Sequence, residues 1–235
     1  RLMKEGHLDA VAVSASSYTT GEHVTFYDSA KPIEPWARSQ RISVQDQLSV
    51  DHLMASSAIP FVFPAVPLSI GGRQHYFGDG AMRQAAPISP AIHLGADRIL
   101  VIGAGRLHEP QTPREGSAEY PSLAQIAGRA MSSIFLDALA VDIERMQRVN
   151  KTLELLPPEI REKSALRPVD VLVIAPSQRI DDIASRHLWA LPPAVRAMLG
   201  SLGVQGRGKE ARGTALASYL LFESSFTREL IHLGF

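Results

Sequence analysis

Residues 74–102 run QHYFGDGAMRQAAPISPAIHLGADRILVI. Gln74-His-Tyr-Phe77 has strand character and leads into Gly78-Asp79-Gly80, a tight turn. Ile88 to Leu94 follows Pro87 with helical character and stops at Gly95. Arg98-Ile-Leu-Val-Ile102 is a short unbroken apolar run of the kind buried in parallel sheets. Strand, turn, helix and strand in that order predict a βαβ unit with a right-handed crossover, and therefore an α/β fold.

Upstream of this stretch, Leu8 to Val13 predicts a buried strand closed by a Ser/Thr cluster. Thr19-Thr20-Gly21 makes a turn, and His23 to Tyr27 returns as a second strand. Lys31 to Arg41 is a proline-bearing loop. Ser49 to Ser57 suits a short helix with Leu53, Met54 and Ala58 on one side, halted before Pro60. Downstream, Pro110 to Pro121 is a polar loop. Ser122 then opens a long helix, with Gln125 completing a capping box. Leu123, Ile126, Ala130, Ile134, Ala138, Met146, Val149 and Leu153 keep helical spacing along it. Val169 to Ile174 is another apolar strand, and everything from Asp181 onward is helical, ending in Thr214–His232. The expected organisation is an α/β core over residues 1–176 with a helical C-terminal extension, residues 177–235, packed on it.

The composition removes several chemistries. The chain has 235 residues, 24 basic and 24 acidic side chains, no cysteine and 45% hydrophobic residues. Without cysteine there is no disulfide framework, thiol nucleophile or thiolate zinc site. Balanced charge argues against a nucleic-acid partner, which calls for a basic face. Leu53 to Gly72 carries no charge over about 20 residues, the length of a membrane span. Pro60, Pro64, Pro67 and Gly71-Gly72 nevertheless interrupt any continuous helix there.

Motif by motif, most candidates weaken. Gly203-Val-Gln-Gly-Arg-Gly208-Lys209 approaches a phosphate loop, but Glu210 stands where Mg²⁺ ligation needs a hydroxyl. A helix, not a strand, precedes it, so a loop between helices is the better account. Gly103-Ala-Gly105 follows a strand, yet His108 replaces the third glycine of a dinucleotide fingerprint. The histidines are scattered without zincin spacing, so neither a metal nor a cofactor is expected. Neither G-x-S-x-G nor S-x-x-K occurs, and Ser56-Ser57 lack the flanking glycines of a nucleophile elbow. Asp79 is different, because an aspartate between glycines just past a strand stands where open α/β sheets place their chemistry. Taken alone, Asp-Gly is also an ordinary turn.

The order of three segments adds to this. Ala55-Ser-Ser-Ala-Ile-Pro60-Phe-Val-Phe-Pro64-Ala-Val66, then Tyr76-Phe-Gly-Asp79-Gly80-Ala-Met-Arg-Gln-Ala-Ala-Pro87, then Leu94-Gly95-Ala96-Asp97-Arg-Ile-Leu-Val101 resemble the second half of bacterial patatin-like phospholipases. They match the family's A-S-x-A-x-P-x-x-F-P-x-V block, D-G-[GA] motif and G-A-x-x-I-L-V strand. Ser14 to Gly21 is similar to the segment preceding these. The helix at Ser122 and the closing Ala217–Phe222 stretch resemble the C-terminal extension of a bacterial subgroup.

The resemblance implies a three-layer α/β/α sandwich, incomplete here, and a serine lipid acyl hydrolase with a Ser–Asp dyad and no metal or cofactor. It places Asp79 as the dyad carboxylate, with Gly78 and Gly80 as motif support. It makes Ile59, Phe61, Val62 and Phe63 candidates for an acyl-chain groove, with core packing under the sheet as the competing account. Departures are Ala81 for the family's last glycine and Gln84-Ala-Ala-Pro87 for its asparagine–proline element. The family's oxyanion loop and G-x-S-x-G lie upstream of the matched region. Arg1 to Gly6 has the form of a last helical turn with a glycine stop. The expectation is a downstream portion of a larger hydrolase, unable to perform the chemistry alone. An acyl-ester substrate, peripheral membrane contact and a bacterial, cytoplasmic or membrane-peripheral setting follow from the resemblance. A non-catalytic patatin-like binding or scaffold module is the alternative.

Overall fold

The computed structural model describes residues 2–60, 62–103, 105, 120–204, 206 and 213–235. The first of these form a turn in which the His7 N–H donates to the Leu2 carbonyl at 3.0 Å and the Gly6 N–H to the Met3 carbonyl at 3.2 Å. That bond pair has Schellman geometry about Gly6, which stands at φ 74°.

The strands are β1 (Ala10–Ser17), β2 (His23–Ser29), β3 (Ala37–Arg38), β4 (Arg41–Gln45), β5 (Val66–Ile70), β6 (Arg73–Asp79), β7 (Arg98–Ile102) and β8 (Asp170–Ile174). The helices are α1 (Val50–Ser56), α2 (Ser89–His93), α3 (Leu123–Glu154), α4 (Pro158–Glu162), α5 (Ile180–His187), α6 (Pro193–Ser201), α7 (Thr214–Ser218) and α8 (Ser224–Gly234), with 3-10 turns at Gly80–Arg83 and Leu188–Ala190. Six strands form one mixed sheet in the order β3-β4-β2-β1-β6-β5, and β7 and β8 form a separate pair. The fold is therefore mixed α/β. In the large sheet only β2 and β4 run parallel; the other neighbours are antiparallel. Among the described residues, no helix is long and apolar enough to cross a membrane.

Two compact units divide the chain, one of residues 1–99 and 141–170, the other of residues 100–140 and 171–235. The helical stretch expected as an extension, 177–235, lies wholly in the second unit, together with 100–140 and 171–176. Its described elements are all helical. In the first unit, Ala15, Val24, Phe26, Ala55, Leu68 and Phe77 form the buried core. Phe26 meets Phe77 edge-on at 5.4 Å and the His52 ring at 4.7 Å, the geometry that aromatic quadrupoles favour. In the second unit, Ile183, Leu199, Leu216 and Phe226 from four helices share one core with Ala124 of α3 and with Leu221, which lies between α7 and α8.

Several expectations are corrected. The βαβ unit does not form, because β1 and β5 already occupy both edges of β6, leaving no free edge for β7. β7 and β8 are not buried runs either; Leu100, Ile102, Leu172 and Ile174 are each more than half exposed. The first strand continues through the Ser cluster instead of ending before it. Ser16 and Ser17 are buried there. Such burial is tolerable because local bonds serve them: Thr20 N–H donates to Ser17 Oγ at 3.1 Å. The proline-bearing loop contains β3, and the apolar run after Pro60 ends in β5. A two-residue Gly71-Gly72 turn, both at positive φ (57° and 76°), joins β5 to β6. A Gly-Gly pair is a hairpin signal that only glycine's freedom at positive φ makes cheap. On α1 the buried side is His52 and Ala55, while Leu53 and Met54 face solvent. The closing helix is two, α7 and α8, because Glu223 takes an extended backbone between them. The capping box at Ser122 is present, with Gln125 N–H to Ser122 Oγ at 3.2 Å and Ser122 N–H to Gln125 Oε1 at 2.8 Å.

Candidate functional site

Asp79 ends β6 and begins the 3-10 turn. Three backbone arrangements hold it. Its N–H donates to the Ala58 carbonyl at 3.0 Å. Its Cα register partner on β1 is Ala15, with Gly78 opposite Ser16. Its own Oδ1 accepts the Ala81 N–H at 2.8 Å, the N-cap bond of the following turn. No other hydrogen bond reaches this carboxylate from the described residues, so Oδ2 keeps its accepting capacity.

Close approach requires glycine at position 80 and favours it at position 78. A Cβ on Gly80 would lie 2.2 Å from the Ser14 carbonyl oxygen, inside any tolerable contact with rigid backbone. On Gly78 a Cβ would lie 2.3 Å from the Tyr18 hydroxyl. Tyr18 thus covers the turn, and its hydroxyl donates toward Met82 Sδ at 3.6 Å. Ser16 Oγ donates to the Gly80 carbonyl at 3.5 Å.

Electrostatics single out the same residue. Burial pushes the Asp79 carboxyl above its usual range, and the Ala81 N–H opposes this only in part. Burial, with the Asp79 charge nearby, also raises the Tyr18 hydroxyl. His23 is buried, and burial holds its pKa below the usual imidazole value, the Gly80 backbone opposing and Arg41 assisting. A half-buried carboxylate with a raised pKa and an open lone pair is suited to accept a proton.

One apolar candidate, Ile59, adjoins the residue whose carbonyl accepts the Asp79 N–H. Ile59 follows Ala58 directly and is half-buried, and its carbonyl accepts the N–H groups of Val62 (3.2 Å) and Phe63 (3.0 Å). Phe63 is 47% exposed and Val62 37%, so neither is core packing under the sheet. Phe61 lies outside the described residues. Leu53 and Met54 on α1, with Tyr18 and Tyr76, add further exposed apolar surface in this unit. The sequence groups Leu53, Met54 and Ala58 on one side, but only Ala58 is buried.

A second constellation was also missed. Ser49 Oγ lies 3.0 Å from His52 Nδ1, and Asp46 Oδ2 lies 3.7 Å from His52 Nε2. The same Nδ1 accepts the Ser49 N–H at 3.2 Å. That bond fixes Nδ1 as an acceptor and makes His52 the reciprocal half of a cap on α1, the S-x-x-H spacing standing in for S-x-x-E. The arrangement locks a helix start.

Of the weaker motifs, Gly103 donates its N–H to the Ile174 carbonyl at 2.8 Å, at the end of the β7–β8 pair. Ala104 and His108 lie outside the described residues, as does most of the 203–209 loop. Among the described residues, no group of three or more His, Cys, Asp or Glu side chains is placed to hold a metal ion. No protein-family model and no curated protein matches the chain.

Proposed function

We propose that this chain is the aspartate-bearing portion of a patatin-like lipid acyl hydrolase, in which Asp79 forms a dyad with a serine on a G-x-S-x-G elbow elsewhere in the intact protein. The observation that carries this reading is the Asp79 carboxylate itself. It stands at a strand end between glycines fixed by close approach, with raised proton affinity and one oxygen unused. Exposed apolar side chains follow from the very segment that bonds its backbone.

In the proposed reaction the serine hydroxyl donates its proton to Asp79 as its oxygen forms a bond to the ester carbonyl carbon. The C–O bond to the leaving alcohol then breaks, and the proton passes to that oxygen. Water attacks the acyl-serine, delivering one proton through Asp79 back to the serine and releasing the fatty acid. A carboxylate of raised pKa is a better proton acceptor near neutral pH than an ordinary one. The Ala81 N–H keeps it oriented without consuming both oxygens. Ile59, Val62 and Phe63 supply apolar contact for an acyl chain, with a peripheral approach to a lipid surface.

One observation favours a second reading, a non-catalytic patatin-like binding module: among the described residues, no serine hydroxyl hydrogen-bonds to Asp79. Labelling of the intact protein with a fluorophosphonate separates the two. A labelled serine that disappears on prior incubation with an ester-derived inhibitor supports the hydrolase. Absence of any label, in protein that is folded by circular dichroism, supports the binding module.

A further inference from the structure

At the far edge of the large sheet, the indole of Trp36 stacks on the His93 imidazole with centroids 4.6 Å apart and planes within 7°. It also stacks on Tyr27 at 5.3 Å. Its backbone is pinned on both sides: the Trp36 N–H donates to Ser43 Oγ at 2.7 Å, and Ser43 Oγ and N–H both donate to the Trp36 carbonyl, at 3.1 and 2.9 Å. This aromatic platform is therefore rigid, although it lies next to an exposed two-residue strand.

Two arginines flank it in an arrangement that stability alone does not favour. Arg38 on β3 and Arg41 on β4 are direct cross-strand partners, joined through Gln40 at a left-handed φ of 58°. Like charges opposite one another in a sheet are destabilising, and a non-glycine left-handed residue adds strain. Neither guanidinium has a carboxylate within ion-pairing distance among the described residues; Arg38 reaches only the Ala37 carbonyl, at 3.0 Å. Both guanidinium charges act on His93, whose pKa burial and then Arg38 and Arg41 hold below the usual imidazole value. Trp36, Arg38, Arg41 and Ser43 thus share one face of the β3–β4 edge, with His93 stacked on the indole and no carboxylate at ion-pairing distance from either guanidinium among the described residues.

We infer that Arg38, Arg41 and His93, gathered around Trp36, form a binding site for a phosphate group. Guanidinium forks match phosphate oxygens bidentately, and an imidazole adds a third donor once a dianion stands beside it. The same chemistry occurs in a soluble phosphomonoester and in the headgroup of an anionic lipid. If the source is a lipid, this edge becomes the headgroup subsite of the hydrolase proposed above. The phosphate site itself stands on Trp36 and the arginines, without Asp79.

The indole supplies the readout. In a Trp189→Phe background, Trp36 is the remaining tryptophan, and its emission is titrated with inorganic phosphate, glycerol 3-phosphate, and phosphatidylcholine vesicles with or without phosphatidic acid. Chloride at equal ionic strength is the control. The expected result is a saturable change with at least one phosphate source, weakened about tenfold or more by Arg38→Gln and by Arg41→Gln, the scale of a lost charge-assisted hydrogen bond. Both variants are expected to melt no lower than the parent without ligand, since each removes a cross-strand repulsion. Response to the soluble compounds alone assigns a phosphomonoester, and response to phosphatidic acid vesicles alone assigns a lipid headgroup. Either supports the site. No saturable change with any source, a change matched by chloride, or one unaltered in both arginine variants would overturn it. Asp79→Asn is expected to leave this binding intact, so failure here and failure of the hydrolase reading remain distinguishable.

Discussion

The Asp79 N–H donates to the Ala58 carbonyl at 3.0 Å. Through that one bond, the end of β6 is tied to the segment leaving α1, and two stretches that stand apart in sequence become neighbours. The bond uses only main-chain atoms, so changing the Asp79 side chain leaves it in place. Asp79→Asn also keeps a side-chain oxygen to accept the Ala81 N–H that caps the following turn, so that substitution reports on the charge rather than on the turn.

Gly80→Ala is expected to destabilise the first unit by about 1–3 kcal/mol, the usual cost of overpacking. The added methyl would meet the Ser14 carbonyl oxygen at 2.2 Å, and that oxygen belongs to a central strand that cannot yield. Gly78→Ala should cost less, since the opposing atom is the end of the half-exposed Tyr18 side chain. Urea denaturation of the two variants ranks them, and equal midpoints would remove the distinction.

Asp79→Asn should raise stability at neutral pH. Burial, opposed by the Ala81 N–H, raises the folded-state pKa above the unfolded value. A carboxyl shifted upward favours the protonated folded form, so its ionisation lowers stability as pH rises through the window between the unfolded and folded pKa. Asparagine cannot ionise. Melting temperatures of variant and parent should converge below the ordinary carboxylate range and separate above it, the variant being higher. A variant that melts lower at neutral pH would show that the charge is stabilised in a way this geometry does not contain.

The helix α8 is fastened to α5 by Glu229, which bonds His187 Nε2 at 2.6 Å and pairs with Arg186. The His187 hydrogen bond, against a smaller opposing effect of burial and with Arg186 assisting, holds the Glu229 carboxyl below its usual value. A depressed carboxyl gives stability present above the unfolded pKa and lost as pH falls through the folded one. Glu229→Gln should speed amide exchange in α8 near neutral pH by an amount corresponding to less than about 1 kcal/mol, as suits a solvent-exposed pair. Acidification through the folded-state pKa should lower the protection factors of α8 in the parent and change those of the variant little.

Leu221 and Leu172 give opposite expectations. Leu221 is 1% exposed in the second core, so Leu221→Ala should cost about 2–5 kcal/mol. Leu172 on β8 is 65% exposed, so Leu172→Ala should fall within about 0.5 kcal/mol. A large cost at Leu172 in chemical denaturation would mean that the outer face of the β7–β8 pair is covered in solution.

Local chemistry was the legible part of the sequence. Ser122 and Gln125 announced their helix because a cap is made by residues three apart. Gly78-Asp79-Gly80 was found because glycine tolerance and a capping carboxylate are properties of the residues themselves. What stayed hidden depended on partners distant in sequence. Arg98–Ile102 looks like a buried parallel strand, yet which edge it takes depends on whether β1 and β5 have already filled β6. Leu53, Met54 and Ala58 fall on one side of a helix by spacing, yet the His52 ring packs on Phe26 and Leu53 and Met54 stand exposed. Gly71-Gly72 carries the signal of a hairpin turn, but the uncharged run before it has the length of a membrane span and hides the strand β5 within it. At the site, Asp79 was accessible to sequence reasoning, whereas Tyr18 and the Trp36–His93 stack were not, since folding alone brings them to their neighbours.

The most direct test of the central claim is the rate of acyl-ester hydrolysis by the intact protein carrying Asp79→Asn, compared with the parent. With Asp79 as the proton acceptor, activity should fall by at least about a hundredfold, the lower range of general-base contributions. The circular dichroism spectrum should stay unchanged. A folded Asp79→Asn protein that keeps most of the parental rate would contradict the assignment.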